Sequence, residues 1–184
     1  MSVTDQVQLA PIPSSIDNLD GWGALVQQIE SQSAVPTVVT PELIAGVIGS
    51  AVPLLFEADT TGNANLLRGT FIDPVIAQRE RNVGDLMGAQ PRSVAAHLVG
   101  IHMTDGHPVL RAHLRIELLR SDGTPSMASQ FWDLQLGAQV MVGQANCPNC
   151  GAPIGPGELL CSYCKADCRN LREVPLVVSR LELY

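Results

Sequence analysis

Two C-x-x-C pairs set ten residues apart constrain this chain more than any other feature in it. They read Cys147-Pro148-Asn149-Cys150-Gly151 and Cys161-Ser162-Tyr163-Cys164-Lys165. A two-residue spacer lets the backbone turn so that both sulfurs of a pair face one point, and four soft sulfur donors suit a tetrahedral zinc ion. Gly151 fits that turn, because the residue after the second cysteine often needs positive φ. The intervening residues 151–160 hold two prolines and three glycines. That is enough for one short hairpin, in a linker shorter than most paired C-x-x-C zinc sites use. The expectation is a compact ribbon with Cys147, Cys150, Cys161 and Cys164 as ligands to one structural Zn2+. Four thiolates leave no open coordination position, so zinc catalysis is not expected. Metal binding of this kind contributes on the order of 10 kcal/mol to folding a segment with almost no apolar core. The competing reading is a redox dithiol, which requires a C-x-x-C at a helix N-terminus beside a βαβ unit, and the pattern offers none. Cys168 reads as a free thiol beside the site, with replacement of Cys164 as a ligand its alternative role.

All five cysteines lie between 147 and 168, which is not how a disulfide-stapled domain distributes them and points to metal in a reducing compartment. With 184 residues, 46% of them hydrophobic and 16% charged, the chain can bury one real core and carry a small appendage. A formal charge of -7 and a pI near 4.9 argue against a binder of nucleic acid or anionic membrane, since both need a basic field. From residue 144 onwards, Lys165, Arg169, Arg172 and Arg180 meet Glu158, Asp167, Glu173 and Glu182. Four minus four leaves a neutral ribbon, which disfavours a nucleic-acid role. Residues 1–10 lack a basic region followed by an apolar run, so no signal peptide is expected. The apolar stretch 43–56 contains Pro53 and two glycines and is shorter than the roughly 20 residues that span a bilayer. These features predict a soluble, cytoplasmic protein with at most peripheral membrane contact.

Residues 1–19, rich in Pro, Ser, Asp and Gln, show no period and read as a loose arm. A short helix capped by Asp20 follows, with Trp22, Leu25, Val26 and Ile29 on one face, either docked on the core or offered to a partner. Thr40-Pro41-Glu42 is a helix start: a capping hydroxyl, a proline where no N–H is needed, and an acid near the positive end of the dipole. That helix runs towards Glu57 with a kink near Pro53. Thr60-Thr61-Gly62-Asn63 is a turn, and a second helical stretch covers 64–82, broken at Asp73-Pro74. The period then changes from helical to two. Strands are predicted over 93–103, 109–120 and 129–142, joined by turns at Asp105-Gly106 and Asp122-Gly123. In the second strand Leu110, Ala112, Leu114, Ile116 and Leu118 point one way and Arg111, His113, Arg115 and Glu117 the other. In the third, Trp132, Leu134, Leu136, Ala138, Val140 and Val142 oppose Asp133, Gln135 and Gln139. Helices followed by a three-stranded meander give an α+β domain with helices on one face of the sheet.

Histidine is the usual general base near neutral pH, but the four here form no evident catalytic set. His107 falls in a turn, His113 shares the polar face with Arg111 and Arg115, and His97 and His102, five apart, point to opposite faces of their strand. No phosphate-cradling glycine loop, nucleophile elbow or H-E-x-x-H motif is present.

The order of parts carries a further signal. Helices lead to a meander whose last strand holds Gln130-Phe131-Trp132-Asp133-Leu134, and Cys147-Pro148-Asn149-Cys150-Gly151-Ala152-Pro153 comes next. This order resembles the bacterial Tim44-like proteins that end in a zinc ribbon. The closing Leu176-Val177-Val178-Ser179-Arg180-Leu181-Glu182 is similar to the short strand after the ribbon in that group. Residues 58–73, with Asn65-Leu66-Leu67-Arg68 and Phe71-Ile72-Asp73, are similar to the helical turn before its sheet. The likeness covers residues 45–184. It implies an NTF2-like cone, with helices wrapped in the concave side of a curved antiparallel sheet. It also implies a non-enzymatic role, since mitochondrial Tim44 proteins are scaffolds that dock a chaperone and a membrane onto a translocation channel. The last strand departs from the family at Leu136-Gly137-Ala138, where a basic residue is usual, and the first 40 residues match nothing in it.

The resulting division is an arm with a short amphipathic helix (1–40), a Tim44-like domain (41–143), and a ribbon with a C-terminal strand (144–184). That strand returns to the main sheet. The function expected is a zinc-binding scaffold for a protein partner, with homo-oligomers formed through the sheet and no nucleic acid bound. The alternative is a small-molecule-binding or enzymatic NTF2-like domain, with His97 or His102 facing a pocket beside Asp105 or Asp133.

Overall fold

The computed structural model describes residues 9–24, 27, 40–82, 84, 86, 88–104, 107–136, 140–141, 146–147, 149–154, 160–166, 172–173 and 176–183. Residues 14–17 are not a loose arm. They form strand β1 (Ser14–Asp17), which pairs in parallel with strand β2 (Ala89–Thr104). Asp20 does not cap the short helix: it lies inside a 3-10 turn (Leu19–Gly21) entered through Asn18 in the left-handed conformation, and Trp22 to Ala24 are helical after it, with Trp22 partly buried against the core. Leu25, Val26 and Ile29 lie outside the described residues.

Helix α1 (Pro41–Thr61) starts as its sequence predicts. Thr40 Oγ1 accepts the Leu43 N–H at 3.1 Å, Pro41 takes the first turn and Glu42 sits beside it. The helix is longer than expected. It continues through Pro53 for 21 residues and stops on Gly62, whose φ of +69° is the left-handed conformation that glycine adopts without steric cost. By length and composition it is long and apolar enough to cross a membrane. Here it is a core helix, with Ile44, Ile48, Val52 and Leu55 fully buried against the sheet. The predicted stretch 64–82 divides into a 3-10 turn (Ala64–Leu67) and helix α2 (Asp73–Arg81). It breaks before Asp73-Pro74, because Pro74 opens the new helix, where its missing N–H costs nothing.

The meander is present as β2, strand β3 (His107–Arg120) and strand β4 (Pro125–Leu136). Asp105-Gly106 lie outside the described residues, but Thr104 pairs with His107 across them. Gly123 turns the next corner at φ +80°. The third strand ends at Leu136, short of the expected 142. Val140–Met141 (β5) instead pair with Arg172–Glu173 (β6) in a separate two-stranded ladder. Strand β7 (Leu176–Leu183) returns to the main sheet antiparallel to β4, as expected, giving the order β1-β2-β3-β4-β7. The sheet is therefore mixed, not wholly antiparallel, because β1 runs parallel to its neighbour.

One face of this sheet meets the helices. Leu110, Ala112, Leu114 and Ile116 are fully buried there, and Trp132 meets Phe71 edge-on with ring centroids 5.6 Å apart. The pattern also places Gln130 in that core. Its Oε1 accepts the Trp132 indole N–H at 2.8 Å, which satisfies a buried donor. The loop before β2 is held by a buried ion pair. Asp59 accepts from Arg79 at 2.6 Å and from the Gly84 and Leu86 N–H groups at 3.2 and 2.8 Å.

Candidate metal centre

The two cysteine pairs fold as near copies of one another. In the first, the Cys147 N–H donates to the Ala152 carbonyl at 2.7 Å and the Gly151 N–H returns to the Cys147 carbonyl at 2.8 Å. In the second, the Cys161 N–H donates to the Ala166 carbonyl and the Lys165 N–H to the Cys161 carbonyl, both at 2.9 Å. Each turn needs a left-handed residue one place after its second cysteine. Gly151 fills the position at φ +73°, as its sequence predicts, and Lys165 fills it at +61° against the usual preference of a side-chain-bearing residue. The Lys165 ammonium reaches back to the Ser162 carbonyl at 3.0 Å.

These turns bring all four sulfurs together within 4.8 Å of one another. Cys147 and Cys164 are 3.5 Å apart and Cys150 and Cys161 3.6 Å, so contacts cross between the pairs. Sulfurs placed about 2.3 Å from a tetrahedral ion stand about 3.8 Å from one another, so the donor set fits one metal ion. Cys147 and Cys161, the first member of each pair, are buried around Ile154, whereas Cys150 is exposed and Cys164 half-buried. Among the described residues no helix follows either pair, unlike a thioredoxin-type dithiol. Cys168 lies outside the described residues.

Backbone and side-chain N–H groups converge on the sulfurs. The Asn149 side chain and then the Ala166 N–H bring the Cys164 thiol down to about 6, and the Cys150 and Asn149 N–H groups lower Cys147. Cys150 moves the other way. The Ala152 N–H pulls its thiol down, but desolvation and the three neighbouring sulfurs outweigh that pull and push it up to about 12. Thiolates this close repel, which is why Cys150 holds its proton; a divalent cation among them removes the repulsion.

The histidines sit elsewhere. His107 begins β3 and is not in a turn. His97 and His102 lie on the same outer face and not on opposite ones. A bulge between Leu98 and Gly100 inserts one residue, so that His97 pairs with His113 and His102 with Val109. Both are exposed, and His97 Nδ1 meets Asp17 at 2.6 Å. His113 stacks on Phe131 at 4.7 Å and reaches Ser129 Oγ at 2.5 Å. Asp133 is buried beneath Arg111, which lies over Phe131 and also binds Glu182 at 2.8 Å. His97 and His102 therefore do not converge with Asp133 on a pocket, and Asp105 lies outside the described residues. Sequence reasoning did not foresee the cluster of Arg111, Asp133 and Glu182; its signal was cation and acid alternating along the polar face.

Compared with known protein families, with curated proteins and with solved structures, the chain finds no match.

Proposed function

We propose that this chain is a non-enzymatic, zinc-binding interaction protein of the Tim44-like type. Its zinc is structural, and its helix-backed sheet serves as a scaffold for a protein partner in the cytoplasm. The observation that carries the reading is the closure of Cys147, Cys150, Cys161 and Cys164 on a single point. A centre of four thiolates holds its ion without an open position for water or substrate, so it clamps the chain instead of activating a reactant. The second support is the order of parts, helices then sheet then ribbon then returning strand, which fits an NTF2-like cone closed by β7.

The test is capture of partners from cells on the intact chain and on a Cys150→Ser/Cys164→Ser variant, with zinc measured in each. A truncation before Asn146 is unsuitable, because it also removes β7 from the main sheet. The intact chain is expected to hold one zinc and to recover a defined protein partner that the variant loses or retains according to the ribbon's part in contact. An intact chain that turns over a small molecule, or recovers none but nucleic acid, contradicts the reading.

A further inference from the structure

We propose that Cys150 is the site where hydroperoxide oxidants enter the metal centre, and that its oxidation closes a Cys150–Cys161 disulfide that releases the ion. The inference rests on the zinc reading above and concerns how that centre is regulated.

Two observations single out Cys150. It is the one exposed member of the cluster, while Cys147 and Cys161 are buried and Cys164 is half-buried. Oxidation of sulfur follows access and thiolate character, and metal coordination supplies thiolate character to all four. In addition, Cys161 Sγ waits 3.6 Å away, on the other knuckle.

The chemistry balances in two steps. The Cys150 thiolate attacks the hydroperoxide, a sulfur–oxygen bond forms as the oxygen–oxygen bond breaks, and an alkoxide or hydroxide leaves with Cys150 as a sulfenic acid. The Cys161 thiolate then attacks that sulfur, the sulfur–sulfur bond forms and hydroxide departs, so two thiolates are oxidised and one peroxide is reduced. The two sulfurs close from 3.6 Å to about 2.05 Å. Only Cys147 and Cys164 remain as thiolates, too few for a closed tetrahedral site.

The experiment uses the full chain loaded with zinc. Metal content is read first, then hydrogen peroxide is added beside a chromogenic zinc chelator. Samples are trapped early with dimedone and mapped by peptide mass spectrometry. The expected result is release of one zinc per chain, a first dimedone adduct on Cys150 and a final Cys150–Cys161 disulfide. Cys150→His keeps a fourth ligand but removes the oxidisable sulfur, and should slow release several-fold. Zinc retained under peroxide, a first adduct on Cys147, Cys164 or Cys168, or a disulfide within one knuckle overturns the proposal while leaving the zinc reading intact. A chain that holds no zinc overturns both. If the histidine variant does not load, adduct mapping on the unaltered chain decides.

Discussion

The Ile12 N–H bonds to the Gly49 carbonyl at 3.0 Å, crossing from the N-terminal segment to the middle of helix α1. That carbonyl is free because its normal partner four residues on is Pro53, which has no N–H. The proline thus leaves an acceptor in the helix wall, and the N-terminal segment uses it to dock. Gly49 also makes the approach possible. A Cβ there would stand 2.7 Å from Ser14 Oγ and 2.8 Å from the Ile12 carbonyl. Gly49→Ala is expected to push β1 off the sheet edge and cost about 1–3 kcal/mol, as overpacking does. Hydrogen exchange should show loss of protection at Ser14–Asp17 with β3 unchanged; equal protection in both forms would refute the docking account.

The Asp59–Arg79 pair is buried on both sides, with side-chain exposures of 1% and 5%. Asp59→Ala removes the carboxylate that faces the buried guanidinium and orphans the Gly84 and Leu86 N–H groups, so urea denaturation should register a loss of about 3 kcal/mol. Replacing Arg79 by Met in the same chain should recover part of that loss, because the buried guanidinium then no longer faces the site of the missing carboxylate. Purely additive losses would show that the two residues act independently.

At their left-handed position the two knuckles carry different residues, Gly151 and Lys165. Gly151→Ala forces a side chain into the left-handed region and should destabilise the zinc-loaded ribbon by about 1–2 kcal/mol. Lys165→Gly relieves the same strain and should be neutral or stabilising by up to about 1 kcal/mol, despite losing the bond to the Ser162 carbonyl. Competition with a calibrated chelator measures both, and a reversed order would contradict the shared-turn geometry.

Metal removal should act locally. Ile154 is the only large apolar side chain in the ribbon's small buried cluster among the described residues, whereas the main core holds Trp132, Phe56 and many aliphatic residues. A strong chelator is therefore expected to abolish exchange protection at Cys147 and Cys161 while leaving Trp132 fluorescence close to its starting value. Collapse of both together would show that the ribbon and the sheet fold as one unit.

Much of this architecture is legible in the sequence where one period governs. Leu110 to Leu118 alternate with Arg111 to Glu117, and that alternation alone assigns the two faces of β3. The Thr40-Pro41 start is equally plain, since the cap and the proline act within one turn. What escapes is whatever depends on a partner distant in the chain. β1 is four residues long and becomes a strand only because β2 and Gly49 receive it. The bulge after Leu98 reverses the parity that places His102, and its one local signal is Gly100, a glycine inside a strand. The alternation of β4 carries Gln130 to the core face, but its bond to the Trp132 indole, like the pairing of Asp59 with Arg79, depends on tertiary packing. At the metal centre the ligands are evident from spacing, but the exposure that separates Cys150 from Cys147 is not.

The central claim is that four cysteine sulfurs close on one structural zinc ion. X-ray absorption at the zinc edge, on the purified chain with metal stoichiometry measured alongside, tests it most directly. The account predicts one zinc per chain with four sulfur neighbours at about 2.3 Å and no lighter ligand. A nitrogen or oxygen neighbour, a different metal, or a chain without metal would contradict it.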